Sequence, residues 1–316
     1  MKPKIIVILG PTASGKTSLS IKLAQEFSGE VISVDSRQIY QDMNIGTAKE
    51  PEDKEIIKEK KKKIIQGILH HGIDIRNPNQ EMSAAEFKEY AEQKIEEIVA
   101  RGKVPILAGG TGFWIQAIVD NLKIPAVAPD STLRQVLDGK STEQLFEMYK
   151  EKDSKGAVTI DQNNRLRLIR ALEVCIKTGQ PFSEQQKKGE PKYEVLQIGI
   201  EVDRQELYNR IDQRVDQMIE QGLVKEVKQI RDKYGCVSLA LTGIGYRQIC
   251  EYLDQIQRPS FAKASEGDLL AQAVEKVKKD TRHYAKRQLS WFRRDKRIQW
   301  VKGHEEAQDL VKQFLK

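Results

Sequence analysis

The stretch Gly10-Pro11-Thr12-Ala13-Ser14-Gly15-Lys16-Thr17 fits the pattern G-x-x-x-x-G-K-[ST] without a gap. The apolar run Ile5 to Leu9 before it reads as a buried strand. Ser18 to Phe27 after it reads as a helix with Leu19, Leu23 and Phe27 on one face. A strand, a glycine-rich turn and a helix start in that order make a phosphate-binding loop. Glycines let backbone N–H groups turn inward around phosphate oxygens, at a helix N-terminus whose dipole already favours negative charge. Gly10, Thr12, Ala13, Ser14, Gly15, Lys16 and Thr17 are therefore the expected pyrophosphate contacts. Lys16 would reach the terminal phosphate and the Thr17 hydroxyl would ligate Mg²⁺. What the phosphates are attached to stays open.

Outward from the loop, further strands are expected at Glu30 to Val34, Lys103 to Ala108, Tyr193 to Val202 and Ile298 to Val301, with helices between them. The predicted fold class is α/β, a P-loop NTPase-like parallel sheet flanked by helices, with an all-helical insertion domain. Residues 42 to 82 read as irregular, with a charged helix near 52 to 66. Ser83-Ala84-Ala85-Glu86 is a capping box that opens a core-facing helix. From Lys123 the pattern changes. Pro125, Pro129 and the Asp130 cap introduce short helices near 131 to 138, 142 to 152 and 163 to 178, and no strand is expected between Ile118 and Tyr193. The expected domains are the first part of the core (1–122), the insertion (123–190) and the second part of the core (191–316). In the third short helix, Leu166, Ile169, Leu172, Val174 and Cys175 are read as the buried side. Arg165, Arg167 and Arg170 either clamp phosphates or form a solvated basic face. Gln257 to Gly267 reads as a surface loop before a long helix from Asp268 to about Phe292.

Two strand ends carry candidate chemistry. Glu30 to Val34 runs into Asp35-Ser36-Arg37-Gln38, and working residues sit at such strand ends in α/β sheets. Asp35 is a candidate on position alone, and an N-cap or an acid that holds the water around a Mg²⁺ ion is equally consistent. The Lys103 to Ala108 strand closes in Gly109-Gly110-Thr111-Gly112 instead of the acid that holds the metal's water shell in motor-type ATPases, so an ATP-driven machine is disfavoured. Glycines there permit close approach of a substrate, and the Thr111 hydroxyl can hydrogen-bond it.

Composition sets the setting. With 39% hydrophobic and 31% charged residues the chain has the balance of a soluble globular protein. No apolar stretch approaches the ~20 residues of a membrane span, and the chain enters its first strand from Met1-Lys2-Pro3-Lys4, so no signal peptide, no membrane partner and a cytoplasmic location are expected. Cys175, Cys236 and Cys250 are widely spaced in apolar segments, so neither disulfide nor zinc is expected, and His70, His71, His283 and His304 show no ligand spacing with them. The net charge of +7 is concentrated late: Thr281 to Ile298 holds seven basic residues against Asp295 alone, with Tyr284, Trp291 and Phe292 interleaved. That composition suits a polynucleotide surface. The run Lys60 to Lys63 lacks aromatics and reads as a solvated helix face.

Taken together and in order, the phosphate loop, Asp35 to Tyr40, Gly46-Thr47-Ala48-Lys49, Gly109 to Gly112, Arg170-Ala171-Leu172-Glu173, Gly243-Ile244-Gly245-Tyr246-Arg247 and Tyr284-Ala285-Lys286-Arg287-Gln288 resemble the bacterial tRNA dimethylallyltransferases, also called tRNA isopentenyltransferases, from about residue 3 to residue 301. The resemblance implies transfer of a dimethylallyl group from dimethylallyl diphosphate to N6 of the adenosine 3′ of the anticodon, with Mg²⁺ as cofactor and the tRNA anticodon arm as partner. It assigns Asp35 as the base and Thr111 as a contact to the target nucleotide. By resemblance Ser36, Arg37, Gln38, Arg134, Arg167, Arg170, Tyr246 and Arg247 also meet the tRNA. Arg287 either joins them or turns back to the pyrophosphate, and Arg293 and Arg294 extend the basic surface. A monomer is expected. Phe113-Trp114 departs from the Leu-Tyr of many relatives and would narrow or re-aim the channel wall. Three other readings compete: a nucleoside or nucleotide kinase, an RNA-binding module that senses nucleotide, and transfer to free adenine nucleotides.

Overall fold

A computed structural model describes residues 2–53, 63–125, 127–185, 187–235, 239–257 and 265–316. Expectations for residues 54–62, for Cys236 and for 258–264 of the polar loop lie outside them. Cys175 and Cys250 are buried free thiols. The chain divides into two compact units, Met1–Ile115 with Tyr193–Lys316, and Gln116–Lys192.

The first unit is built on a seven-stranded sheet of β1 (Lys4–Leu9), β2 (Gly29–Val34), β3 (Lys63–Ile65), β4 (Ile68–His71), β5 (Val104–Gly109), β6 (Glu194–Ile200) and β7 (Gln299–Val301). Their order is β3-β4-β2-β5-β1-β6-β7. Every pairing is parallel except β3 with β4. Ile5 to Leu9 are fully buried because β1 lies in the interior of the sheet with both faces covered, which is why it reads as a continuous apolar run. On one face Ile6, Ile8, Ile106 and Ile198 pack with Leu19 and Leu23 and with Ala307 and Val311 of the last helix.

Two corrections concern local structure. Of the helix expected near 52 to 66, the described residues 63–65 form a strand instead, paired with β4 through a two-residue turn in which Ile65 faces Ile68. Gln66 and Gly67 take φ of 50° and 77°, the double positive φ that a type I′ turn demands and that a charge pattern does not announce. Lys63 pairs with Asp74 and Glu52 instead of facing solvent on a helix. The last long helix begins at Glu266 on a Ser265 cap, so Gly267 is helical and not part of the loop.

Helices α1 (Lys16–Glu26) and α2 (Ala84–Ala100) follow β1 and precede β5, and the capping box of Ser83 and Glu86 is formed. From β5 the chain turns into α3 (Gly112–Val119), along which the second unit begins at Gln116. That unit contains α4 (Ser131–Asp138), α5 (Thr142–Lys152), α6 (Ser154–Ala157), α7 (Arg165–Thr178) and α8 (Phe182–Gln185). Its core gathers Leu137, Leu145, Tyr149, Leu168 and Leu172. Leu166, placed on the buried side by its spacing, is 81% exposed, because α7 turns Leu168, Ala171 and Leu172 inward. Back in the first unit, α9 (Arg204–Glu220), α10 (Leu223–Tyr234), α11 (Tyr246–Ile256), α12 (Glu266–Phe292) and α13 (His304–Leu315) complete the chain. No described helix is long and apolar enough to cross a membrane.

Candidate active site

The phosphate loop leaves β1 at Gly10 and enters α1 at Lys16. Ala13 and Gly15 take positive φ of 61° and 91°, which turns the backbone as a phosphate cradle requires. Two side chains are poised there. Lys16 donates to Pro11 O at 2.6 Å, leaving two ammonium protons for an anion. Ser14 is 4% exposed, and its hydroxyl has no hydrogen-bond partner among the described residues.

Asp35 leaves β2 with its Oδ1 accepting from the backbone N–H of Arg37 at 2.8 Å and of Gln38 at 3.3 Å. The Thr111 hydroxyl accepts from Ser36 N at 3.0 Å, so Thr111 ties the end of β5 to the Asp35 turn and keeps its own proton to donate. Gln38, expected to face RNA, turns inward. Its amide receives Ser33 Oγ at 2.8 Å and donates to Thr47 O at 3.2 Å. The glycines at the end of β5 and just after it are also required by the protein's own packing. A Cβ on Gly109 would meet Val34 O at 2.0 Å, on Gly110 the Gln288 amide at 2.3 Å and on Gly112 the Trp291 ring at 2.4 Å.

Two cavities meet at Asp35. The first, of about 100 Å³, is walled by the phosphate loop (Thr12, Ala13, Lys16, Thr17) and by Gly109, Gly110 and Gln288. The second, of about 270 Å³, is walled by Ser36, Arg37, Thr242, Gly243 and Gly245 with apolar Ile211, Val215, Met218 and Val277. Thr12, Ala13, Asp35, Thr47, Arg214 and Tyr284 line both. Burial brings the Lys16 ammonium down to about 8, against the opposing pull of Asp35 and with the help of Arg214. The Tyr284 phenol is pushed up to about 12 by burial, and Asp35 adds to the shift. Burial also lowers the Arg214 guanidinium, with Glu50 and Asp35 opposing. An anion entering such a site meets desolvated positive charge and strong hydrogen-bond donors.

Sequence reasoning missed Arg214, Gln288 and the full part of Tyr284. Gln288 is 6% exposed and bridges the two glycine-rich turns, accepting from Thr12 N at 2.8 Å and donating to Gly110 O at 2.9 Å. Tyr284 and Gln288 lie four apart, hence on one face of α12, a signal available in the sequence. Arg214 sits beside the buried stripe Leu207, Ile211 and Val215 of α9.

The remaining expected residues scatter. Tyr246 is 1% exposed and gives its hydroxyl to Glu226 at 2.7 Å, so its side chain supports the fold and does not face RNA. Arg247 pairs with Asp280 at 3.1 Å. Arg37 reaches Thr242 Oγ1 at 3.4 Å. In the second unit Arg134 and Arg170 are both committed to the fully buried Glu173 at 2.8 and 2.6 Å, and Arg165 to Asp138, whereas Arg167 is exposed. Arg287, Arg293 and Arg294 are exposed, with the Arg287 guanidinium 5.8 Å from the Tyr284 ring. Trp114 is buried and stacked on Phe87 at 4.1 Å, and neither it nor Phe113 lines the two cavities, so this dipeptide does not shape them.

This architecture has close counterparts. The tRNA dimethylallyltransferase of Acetivibrio thermocellus is 42% identical over 95% of this chain and 92% of its own length. That of Limosilactobacillus reuteri is 43% identical over 99% of this chain and 97% of its own. Among solved structures, a tRNA isopentenylpyrophosphate transferase from Bacillus halodurans superposes with a TM-score of 0.69 at 34% identity, covering 99% of this chain and 97% of that one. A eukaryotic dimethylallyltransferase acting on tRNA gives 0.72 at 30% identity over 92% of this chain and 69% of that one. Residues 38–295 match the family model described as IPP transferase, and the chain belongs to that family.

Proposed function

We propose that the protein transfers a dimethylallyl group from dimethylallyl diphosphate to N6 of the adenosine 3′ of the anticodon in tRNA, releasing diphosphate. The observation that carries this reading is that Asp35 lines both cavities, one floored by the phosphate loop and the other opening between Arg37 and the Thr242–Gly245 turn. A diphosphate in the first and an extruded base in the second would meet at this carboxylate.

The chemistry follows from the residues. The C1–O bond of the allylic diphosphate breaks as the N6–C1 bond forms. Negative charge grows on the leaving diphosphate, where the Lys16 ammonium and backbone amides of the loop meet it. The N6 lone pair is delocalised into the purine, so attack needs a base, and the N6 proton goes to the Asp35 carboxylate. Backbone N–H groups of Arg37 and Gln38 hold Oδ1, which directs the remaining oxygen to the proton. The Thr111 hydroxyl, with its proton free to donate, is suited to orient the adenine. Arg214 adds positive charge where the two cavities join.

Magnesium fits the donor set. Hard oxygen donors suit an ion held chiefly by substrate phosphates and water. Thr17 lines the first cavity, and its hydroxyl would be the protein's donor to the ion. When bound, the ion would neutralise charge on the leaving diphosphate.

On the RNA side, Lys286, Arg287, Arg293, Arg294 and Lys296 are all exposed beside Trp291, itself 37% exposed. Unmodified tRNA incubated with dimethylallyl diphosphate and Mg²⁺ is expected to yield prenylated adenosine on nucleoside mass analysis. ATP consumption without that product would overturn the reading in favour of a kinase.

A further inference from the structure

We infer that Glu226, on α10 and outside the phosphate loop and both strand ends, is a positioning residue for Asp35. The inference rests on the reading of Asp35 as the base. The Glu226 side chain is 8% exposed, yet its carboxylate receives four donors. Oε2 accepts from Asn44 N at 2.9 Å and Ile45 N at 2.8 Å, and Oε1 from Gly46 N at 3.0 Å and Tyr246 Oη at 2.7 Å. Three successive backbone N–H groups turned onto one buried anion fix the path of the 44–46 segment. An ion desolvated this far is tolerated because its lone pairs are met by such donors.

The segment continues into the site. Thr47 lines both cavities and Gly46 the larger one. The Thr47 carbonyl accepts from Gln38 Nε2 at 3.2 Å, and the Gln38 backbone N–H donates to Asp35 Oδ1 at 3.3 Å. Ser33 Oγ, at 2.8 Å from Gln38 Oε1, closes the other side of that amide. A continuous path of hydrogen bonds and two short backbone stretches thus runs from Glu226 to the carboxylate that takes the proton. Tyr246 reinforces it sterically: a Cβ on Gly46 would come within 2.5 Å of its ring, so the loop and the ring have one way to fit.

Substitution by glutamine removes the right atoms. An amide offers one acceptor oxygen, so its NH₂ must confront two of the four donors, and half the clamp is lost with little change of volume. The readout is single-turnover transfer to pre-bound tRNA at saturating dimethylallyl diphosphate. Glu226→Gln is expected to slow it between about ten- and a hundredfold, the range for a misplaced reacting group. The Kd for inorganic pyrophosphate should stay within about twofold, because the loop that binds it is held by Gln288 instead. On an Asp35→Asn background the same substitution should cost nothing further, since a residue acting through Asp35 has nothing left to position. Gly46→Ala, which shifts the loop without touching the carboxylate, is expected to reproduce this pattern and serves if Glu226→Gln does not fold. A wild-type rate in both variants, rate losses that multiply in the double variant, or a matching loss of pyrophosphate affinity would each overturn the inference. A wild-type rate in Asp35→Asn alone would remove the base reading itself and is recognised separately.

Discussion

Asp35 and Lys16 line the same cavity, and their charges act on each other across it. At this scale the prediction for Asp35→Asn is that tRNA and pyrophosphate binding stay within a few-fold while transfer falls by about 10² or more, the usual contribution of a general base. Equilibrium binding and single-turnover rates measured on one preparation check both halves. Lys16 makes a pH prediction. Its value of about 8 lies below the ordinary 10.5 because of burial, so the empty fold bears a desolvated cation below pH 8, and that cost disappears as pH rises from 8 to 10.5. A bound diphosphate reverses the preference by pairing with the cation. Pyrophosphate affinity is therefore expected to hold up to about pH 8 and then to fall by up to about tenfold per unit, with proton uptake on binding. Calorimetry in two buffers of different ionisation enthalpy measures that uptake. Lys16→Met should bind weakly at every pH and show no break near 8.

At the scale of elements, α7 separates two kinds of arginine that the sequence lists together. Arg134 and Arg170 hold Glu173, which is fully buried and accepts from Asp130 N as well. Burial alone would raise the Glu173 carboxyl, and these partners bring it below its ordinary value. Removing both arginines leaves a buried carboxylate without its cations, at an expected cost of about 3 kcal/mol. Arg134→Ala with Arg170→Ala should thus lower the melting temperature of the second unit, whereas Arg167→Ala should leave it unchanged. Calorimetric unfolding alongside tRNA titration separates the two. Weaker tRNA binding at an unchanged melting temperature is expected for Arg167→Ala alone. The strand ends divide in the same way. Gly109 and Gly110 are required by the protein's own close approaches, while Thr111 between them and Gly112 reaches Ser36 and the Asp35 turn.

For the molecule as a whole, α12 is the element that runs from the cavities towards the exposed basic tract. At 27 residues it spans about 40 Å. Tyr284 and Gln288 face the cavities and the phosphate loop, and beyond them Arg293 and Arg294 stand exposed with Lys296. Of the basic tract, Arg282 pairs with Asp212 and Arg297 with Asp295, so the formal excess of charge overstates what RNA can meet. Replacing Arg293 and Arg294 with alanine should weaken binding similarly for all tRNAs and reduce the salt slope by roughly 1 to 2. Filter binding across a salt series checks it, and an unchanged slope would exclude them as phosphate contacts.

What the sequence determined by itself was what is local in the chain or carried by an ordered set of motifs: the phosphate loop in its strand-turn-helix setting, the capping box at Ser83, the buried strands, the late basic tract and the family likeness. Each depends on spacing along one element, where side-chain period and backbone geometry are enough. Tertiary structure decided the rest. The β3–β4 hairpin depends on two positive φ values and a sheet edge to pair with. The inward turn of Gln38, the burial of Tyr246, the pairing of Arg134 and Arg170 with Glu173, and the arrival of Arg214, Gln288 and Glu226 all join residues far apart in the chain. Whether an exposed-looking polar residue meets RNA, a substrate or its own fold is settled by which partner arrives across that distance, and periodicity along the chain carries no record of it.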